Sequence, residues 1–183
     1  DIIKNYGIRN LRSHRKYFNL LLGAIIGQQL STKAADAIQK RFMDHFNNQP
    51  MPELILATEN TVLRSLGLSN AKVSYVKDLS QKVLSKEVKL DGFSRKTDEE
   101  VIVELTKVKG IGIWSSHMFL MFTLGRPNIL PTGDLGIRKA VMLNYRLKKM
   151  PTEKKVEQVA KKNNWHPYCS IASLYMWRSL DGK

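Results

Sequence analysis

The feature that most constrains this chain is a pair of glycines one residue apart between two helical patterns, in Leu105-Thr-Lys-Val-Lys-Gly-Ile-Gly-Ile-Trp114. Glycine lets a backbone reverse tightly and come close to a neighbour, because it has no Cβ. The second helix then starts at the turn, so its first amides and the positive end of its dipole face outward, an arrangement suited to an anion. Some twenty residues on, Asn128-Ile-Leu-Pro-Thr-Gly-Asp134 places one carboxylate after a proline and a glycine, where another helical pattern begins.

Charge says which anion to consider. The 183 residues carry 30 Lys and Arg against 16 Asp and Glu, a formal net charge of +14. Such an excess favours a polyanionic partner, and with the hairpin it points to nucleic acid. The plainer alternative is a set of lysines on solvated helix faces. Lys72, Lys77, Lys82, Lys86 and Lys89 fit that description, with phosphate contact open to one or two of them. Cys169 is the single cysteine, which excludes an internal disulfide, a cysteine-ligated iron–sulfur cluster and a cysteine zinc site. A reducing, intracellular setting is expected: cytoplasm or nucleoid, or the nucleus in a eukaryote. No signal peptide is read at the start. The longest apolar run, Phe18 to Gly27, is too short for a membrane span and reads as a buried helix, so no membrane association is expected. A monomer is the default.

Helical periodicity runs through nearly the whole chain. Ser31 caps a helix bearing Ala34, Ala35, Ala37, Ile38 and Phe42; short helices cover Leu54 to Ala57 and Asn60 to Leu66; Val73, Val76, Leu79, Val83 and Leu84 mark another. Thr97-Asp-Glu-Glu100 is a capping box opening a helix that Gly110 breaks. From Gly112 to Leu124 there is no formal charge, and Trp114, Met118, Met121 and Phe122 recur as on a deeply packed helix. Further helices follow Asp134, Thr152 and Pro167. No period-two run supports a strand, so the fold class is all-α.

Asp134 has two readings. It can be an N-cap. It can also stabilise an oxocarbenium-like sugar during cleavage of an N-glycosidic bond, and orient water. The base would first leave the stack, and aromatic faces would attract it if it is cationic. Trp114 and Trp177 are candidates for such faces, with Tyr175 and Phe18 as further walls. His117 follows Trp114 by three and either faces the pocket or is a hydrogen-bonded core residue. Cys169 reads as a small core or surface residue.

Four segments together resemble the helix-hairpin-helix/Gly-Pro-Asp superfamily of DNA glycosylases, most closely its DNA-3-methyladenine glycosylase II branch. They are Ala24-Ile-Ile-Gly-Gln-Gln-Leu-Ser-Thr32, Leu66-Gly-Leu-Ser-Asn-Ala-Lys72, the hairpin with Leu130-Pro-Thr-Gly-Asp134, and Trp165-His-Pro-Tyr-Cys-Ser-Ile-Ala-Ser-Leu-Tyr-Met-Trp177. The resemblance implies one compact helical domain over 1–183, of two lobes with the active-site cleft between them. It implies a monofunctional enzyme of base excision repair that flips alkylated bases such as 3-methyladenine and 7-methylguanine out of damaged double-stranded DNA and hydrolyses their glycosidic bond. Asp134 matches the catalytic aspartate; Trp114, Trp177, Met118 and His117 fall at the base pocket. Gln28-Gln29-Leu30 matches the wedge that fills the vacated gap. Lys109, Gly110, Ile111, Gly112 and Ser115 form the phosphate-binding hairpin. Carbonyls of Thr106, Val108 and Ile111 match those that hold Na+ or K+ in this family; no cofactor is otherwise implied.

The departures are informative. Bifunctional relatives carry a catalytic lysine where this chain has Trp114, so no lyase step is expected. The usual hairpin proline is Lys109, adding charge near the phosphate and costing rigidity. A terminal Pro-x-Arg-Ser becomes Pro167-Tyr-Cys169-Ser, leaving the anchoring of the last segment to be accounted for. Met118 replaces a pocket tyrosine of the bacterial enzyme. A glycosylase for uracil, hypoxanthine or 8-oxoguanine, and a non-catalytic damage-binding module, stay open at this level.

Overall fold

The computed structural model of the chain describes residue 11, residues 13–14 and residues 16–181, and the opening segment just considered for a signal peptide lies largely outside them. Among the described residues the regular structure is helical with no strand: α1 (Tyr17–Gly27), α2 (Thr32–His45), α3 (Pro52–Ala57), α4 (Asn60–Ser65), α5 (Asn70–Leu84), a 3-10 turn (Phe93–Arg95), α6 (Asp98–Thr106), α7 (Ile113–Phe122), α8 (Leu135–Asn144), α9 (Glu153–Lys162) and α10 (Cys169–Arg178). None of these helices is long and apolar enough to cross a membrane. The described residues divide into two compact units, one from 16 to 116 and one from 117 to 181.

In the unit over 16–116, α5 is the centre: α1, α3 and α4 all pack on it. Leu21, Leu22, Ile25 and Ile26 of α1 and Val73, Val76 and Leu79 of α5 are buried. The helix starts are those legible in the sequence. Ser31 Oγ accepts from the Ala34 amide, and the Thr97–Glu100 box is reciprocal, each side chain satisfying the other residue's amide.

The lysine reading needs correction here. Lys72 and Lys82 are half-buried, and their ammonium groups are engaged by protein. Lys72 Nζ donates to the carbonyls of Ile26 (2.7 Å) and Gln28 (2.8 Å), and burial lowers its pKa. Lys82 is paired with Asp78 at 3.2 Å and donates to the Lys107 carbonyl. Lys77 reaches the Leu56 carbonyl at 3.5 Å. Periodicity puts a lysine beside an apolar stripe but does not say where four methylenes carry the ammonium.

Glu104 gathers the end of this unit. Its Oε1 accepts the Lys89 amide at 2.6 Å, and its Oε2 lies 3.0 Å from Lys107 Nζ and 3.8 Å from Lys96 Nζ. Burial pushes the carboxyl upward, but the Lys89 amide, the Lys107 hydrogen bond and the two ammonium charges outweigh it, so its pKa falls below the usual 4.5. A carboxyl depressed on folding stabilises above its unfolded pKa, and that contribution is lost as pH falls through its lower folded value. Glu104→Gln is therefore expected to lower stability by about 1 kcal/mol at pH 7, the surplus of a charged over a neutral acceptor. Urea unfolding at pH 7 and pH 3 checks this: the gap should narrow at the lower pH, and an equal gap at both values counts against the clamp.

The other unit is built on α8, with α9 and α10 packed against it. Ile137, Ala140, Val141, Val156, Val159, Ala160, Trp165, Cys169 and Met176 form one buried cluster. Cys169 is therefore a core residue, its thiol pushed up by burial. The missing arginine at that position is compensated by its neighbour. Buried Ser170 donates from Oγ to the Arg126 carbonyl (2.6 Å), accepts the Ile129 amide (2.9 Å), and bonds the Pro127 carbonyl through its own amide (2.9 Å). Three bonds thus tie α10 to the loop that leads to Asp134.

Candidate active site and nucleic-acid interface

Asp134 caps α8 and does more. Its Oδ1 accepts the Ile137 amide at 2.7 Å and the indole Nε1–H of Trp177 at 2.8 Å. The cap reading of the sequence is thus right in geometry, and the Trp177 indole adds a second donor that fixes the same carboxylate. Trp177 reaches the carboxylate from α10, and Phe122 lies 6.2 Å from it, ring to ring. The close approach depends on Gly136, whose Cβ, if present, would sit 3.0 Å from Asp134 Oδ1 and 3.0 Å from Trp177 Cδ1. Gly136 carries no signal in the sequence beyond its type. His117 and Met118 are half-buried on α7, and Tyr175 is buried.

α7 corrects a second expectation. Phe119, Leu120 and Met121 are buried, but Ile113, Trp114 and Phe122 are exposed, Trp114 by 51%. The uncharged run is a helix buried through its middle and exposed at both ends, not one packed throughout. An exposed tryptophan at the first turn is the unusual observation, since large aromatics are normally covered.

The hairpin lies in the unit over 16–116. Gly110 has φ +81°, the left-handed region, and its Cα faces the Tyr75 ring so closely that a Cβ would fall 2.3 Å from Tyr75 Cδ2. Gly112 differs. It is not left-handed, a Cβ there meets nothing within 4 Å, and its carbonyl accepts the Ser116 amide at 3.0 Å. Gly112 is thus the N-cap of α7, and the amides of Ile113, Trp114 and Ser115 are those a helix start leaves without intrahelical partners. The Lys109 amide is not available to a phosphate: it donates to Asp78 Oδ2 at 2.8 Å. A proline could not make that bond. The rigidity that the lysine forfeits is restored by α5, and the exposed Lys109 ammonium lies 3.9 Å from the other Asp78 oxygen.

The Gln28-Gln29-Leu30 turn joins this site. Gln28 Nε2 donates to the Gly110 carbonyl at 2.7 Å, Gln29 has φ 57°, and Leu30 is exposed. Sequence reasoning found the turn and the hairpin but missed Lys72, Tyr75 and Asp78, which hold them. No clustering of His, Cys, Asp or Glu able to hold a metal occurs among the described residues.

A family model described as "HhH-GPD superfamily base excision DNA repair protein" matches residues 22–164. A putative DNA-3-methyladenine glycosylase of Bacillus subtilis, YfjP, is 34% identical over 171 residues, covering 90% of this chain but 59% of that protein. The chain thus spans little more than half the length of that relative. Among solved structures, the 3-methyladenine DNA glycosylase of Schizosaccharomyces pombe in complex with abasic DNA has a TM-score of 0.82 at 32% identity, covering 97% of this chain and 88% of the other. A DNA-3-methyladenine glycosidase of Bacillus halodurans has a TM-score of 0.84 at 31% identity, covering 99% and 83%.

Proposed function

Because the chain belongs to the HhH-GPD superfamily of base excision DNA repair proteins, we propose that it is a monofunctional DNA glycosylase that releases alkylated purines, such as 3-methyladenine and 7-methylguanine, from double-stranded DNA. The observation that carries this reading is the Asp134 carboxylate, fixed through Oδ1 by the Trp177 indole and the α8 start.

An N-alkylated purine is already cationic, so it leaves as a neutral base when the C1′–N bond breaks and takes the bonding electrons with it. Positive charge then develops on the sugar. A fixed carboxylate stabilises it without reorganising, which is what makes such groups effective. Water adds to C1′, and its proton passes to Asp134 or to solvent. The Asp134 carboxylate is the group assigned to the sugar and the water. The Trp177 face, backed by Phe122, supplies a π-surface for a cationic base. The α7 amides, with Gly112 bare of side chain, suit a phosphate and would position any sequence alike.

No cofactor takes part in this chemistry. The carbonyls of Thr106, Val108 and Ile111 would hold Na+ or K+: they are neutral oxygens, and the Val108 carbonyl, engaged by the Ile111 amide at 3.1 Å, keeps a second lone pair. Such an ion would add positive charge beneath the phosphate. A single copy acting inside the cell suffices.

The test is one assay with two readouts. A panel of duplexes carrying 3-methyladenine, 7-methylguanine, uracil, hypoxanthine and 8-oxoguanine is incubated with the protein, and base release and borohydride trapping are followed together. Release of alkylated bases that leaves intact abasic strands is expected. A covalent adduct that tracks release would overturn the monofunctional assignment, since an imine requires a positioned amine where Trp114 stands. Release confined to uncharged lesions would overturn the substrate class.

A further inference from the structure

The Gln28–Leu30 turn and the hairpin are far apart in sequence, 82 residues between Gln28 and Gly110, yet they share a single support. Lys72, Tyr75, Asp78 and Lys82 recur along α5 at intervals of three and four, which places them on one helix face. Lys72 holds the carbonyls on either side of the turn's start. Tyr75 packs on Gly110, Asp78 takes the Lys109 amide, and Lys82 takes the Lys107 carbonyl. One rigid helix therefore sets both loops, and Gln28 closes the circuit between them through the Gly110 carbonyl.

We propose that Lys72 and Gln28 are positioning residues that couple phosphate capture at the hairpin to insertion of the Gln28–Leu30 turn into the base stack. The inference rests on the glycosylase reading above. An ammonium that is partly buried loses hydration, a cost offset where its donors are satisfied. Lys72 meets that cost with one carbonyl at the end of α1 and one in the turn, and its own amide is fixed by Ser69 Oγ at 3.3 Å. Both ends of the residue are committed to protein. Gln29, at the apex, sits in a left-handed conformation that a non-glycine residue adopts only when its surroundings impose it. The turn is thus held ready before DNA arrives. A hairpin that moves as it grips a phosphate moves the Gly110 carbonyl, and with it Gln28.

Lys72→Met keeps the methylene stem and removes the donors. Lys72→Arg keeps a charge, and Gln28→Met removes the amide to Gly110. Amide hydrogen exchange of the free protein is measured first. Faster exchange at 28–30 and at 110–112 together, in both Met variants, is expected. The same variants are then mixed with duplexes carrying 2-aminopurine beside 7-methylguanine. Any loss of affinity for undamaged DNA in Lys72→Met should leave its salt slope unchanged. The 2-aminopurine rise and single-turnover release should fall on the order of 10–100-fold, the scale of a small misplacement of catalytic geometry, with Lys72→Arg recovering part of it. Unchanged exchange at both segments, or wild-type flipping in Lys72→Met, overturns the coupling. A drop in undamaged-DNA affinity with a salt slope lower by about one makes Lys72 a phosphate contact instead and also overturns it. If the wild type releases no alkylated base, the glycosylase reading fails, while the exchange pattern still decides whether the two loops are linked.

Discussion

Asp134→Asn is expected to leave the protein folded and able to bind lesion DNA while abolishing most base release. The structure makes this substitution unusually clean. Asparagine is as good an N-cap as aspartate, and its carbonyl oxygen can accept both the Ile137 amide and the Trp177 indole that Oδ1 now accepts. Positioning is kept and charge is lost. Stability should therefore change by no more than about 0.5 kcal/mol, whereas Asp134→Ala, which removes the cap, should cost about 1 kcal/mol. Loss of the electrostatic stabiliser is worth roughly 2–4 kcal/mol in the barrier, a rate decrease on the order of 10²–10³. Single-turnover release of 7-methylguanine, with urea unfolding of the same samples, separates the two roles. Near wild-type release by the asparagine variant would reduce Asp134 to a helix cap.

The parts of this molecule legible in the sequence are those carried by local chemistry. Ser31, Thr97, Asp134 and Thr152 are caps because short polar side chains reach the amide three residues on, and each cap is found in place. Val73, Val76 and Leu79 of α5 are buried as their spacing suggested, whereas Leu84 is exposed, and α1, read as a buried helix, leaves Leu20 exposed. What escaped was everything that depends on how far a long side chain travels. Lys72 and Lys82 looked like solvated charge, yet their ammonium groups end on carbonyls distant in sequence. Asp78 gave no signal, although it replaces the rigidity of the missing hairpin proline. Trp114 and Phe122 looked packed because the whole of α7 is uncharged, and only tertiary structure decides which turns of such a helix are covered. Gly136 is the same case: its importance lies in the Trp177 ring that passes over it.

The two hairpin glycines look equivalent in the sequence, as two residues that a methyl group would strain, and the structure separates them. Gly110→Ala is expected to damage the fold. It places a side chain at φ +81°, a conformation costing an L-residue roughly 1–2 kcal/mol. It also drives a methyl group into Tyr75, 2.6 Å from Cγ, near the base of the side chain rather than its mobile end. Moving that ring adds about 1–3 kcal/mol, as overpacking does. Because Tyr75 stands between Lys72 and Asp78 on α5, the displacement reaches both loops, and DNA affinity should fall with stability. Gly112→Ala meets no protein atom and no left-handed backbone. Its stability should fall by less than about 1 kcal/mol, the difference between glycine and alanine as a cap. Its methyl group instead occupies the space a phosphate would enter, so affinity should drop for damaged and undamaged duplexes alike, with no sequence preference. Urea unfolding and fluorescence anisotropy at several salt concentrations measure the pair. A Gly110→Ala protein as stable as wild type would contradict the Tyr75 packing, and undiminished DNA affinity in Gly112→Ala at every salt concentration would remove the hairpin from the phosphate.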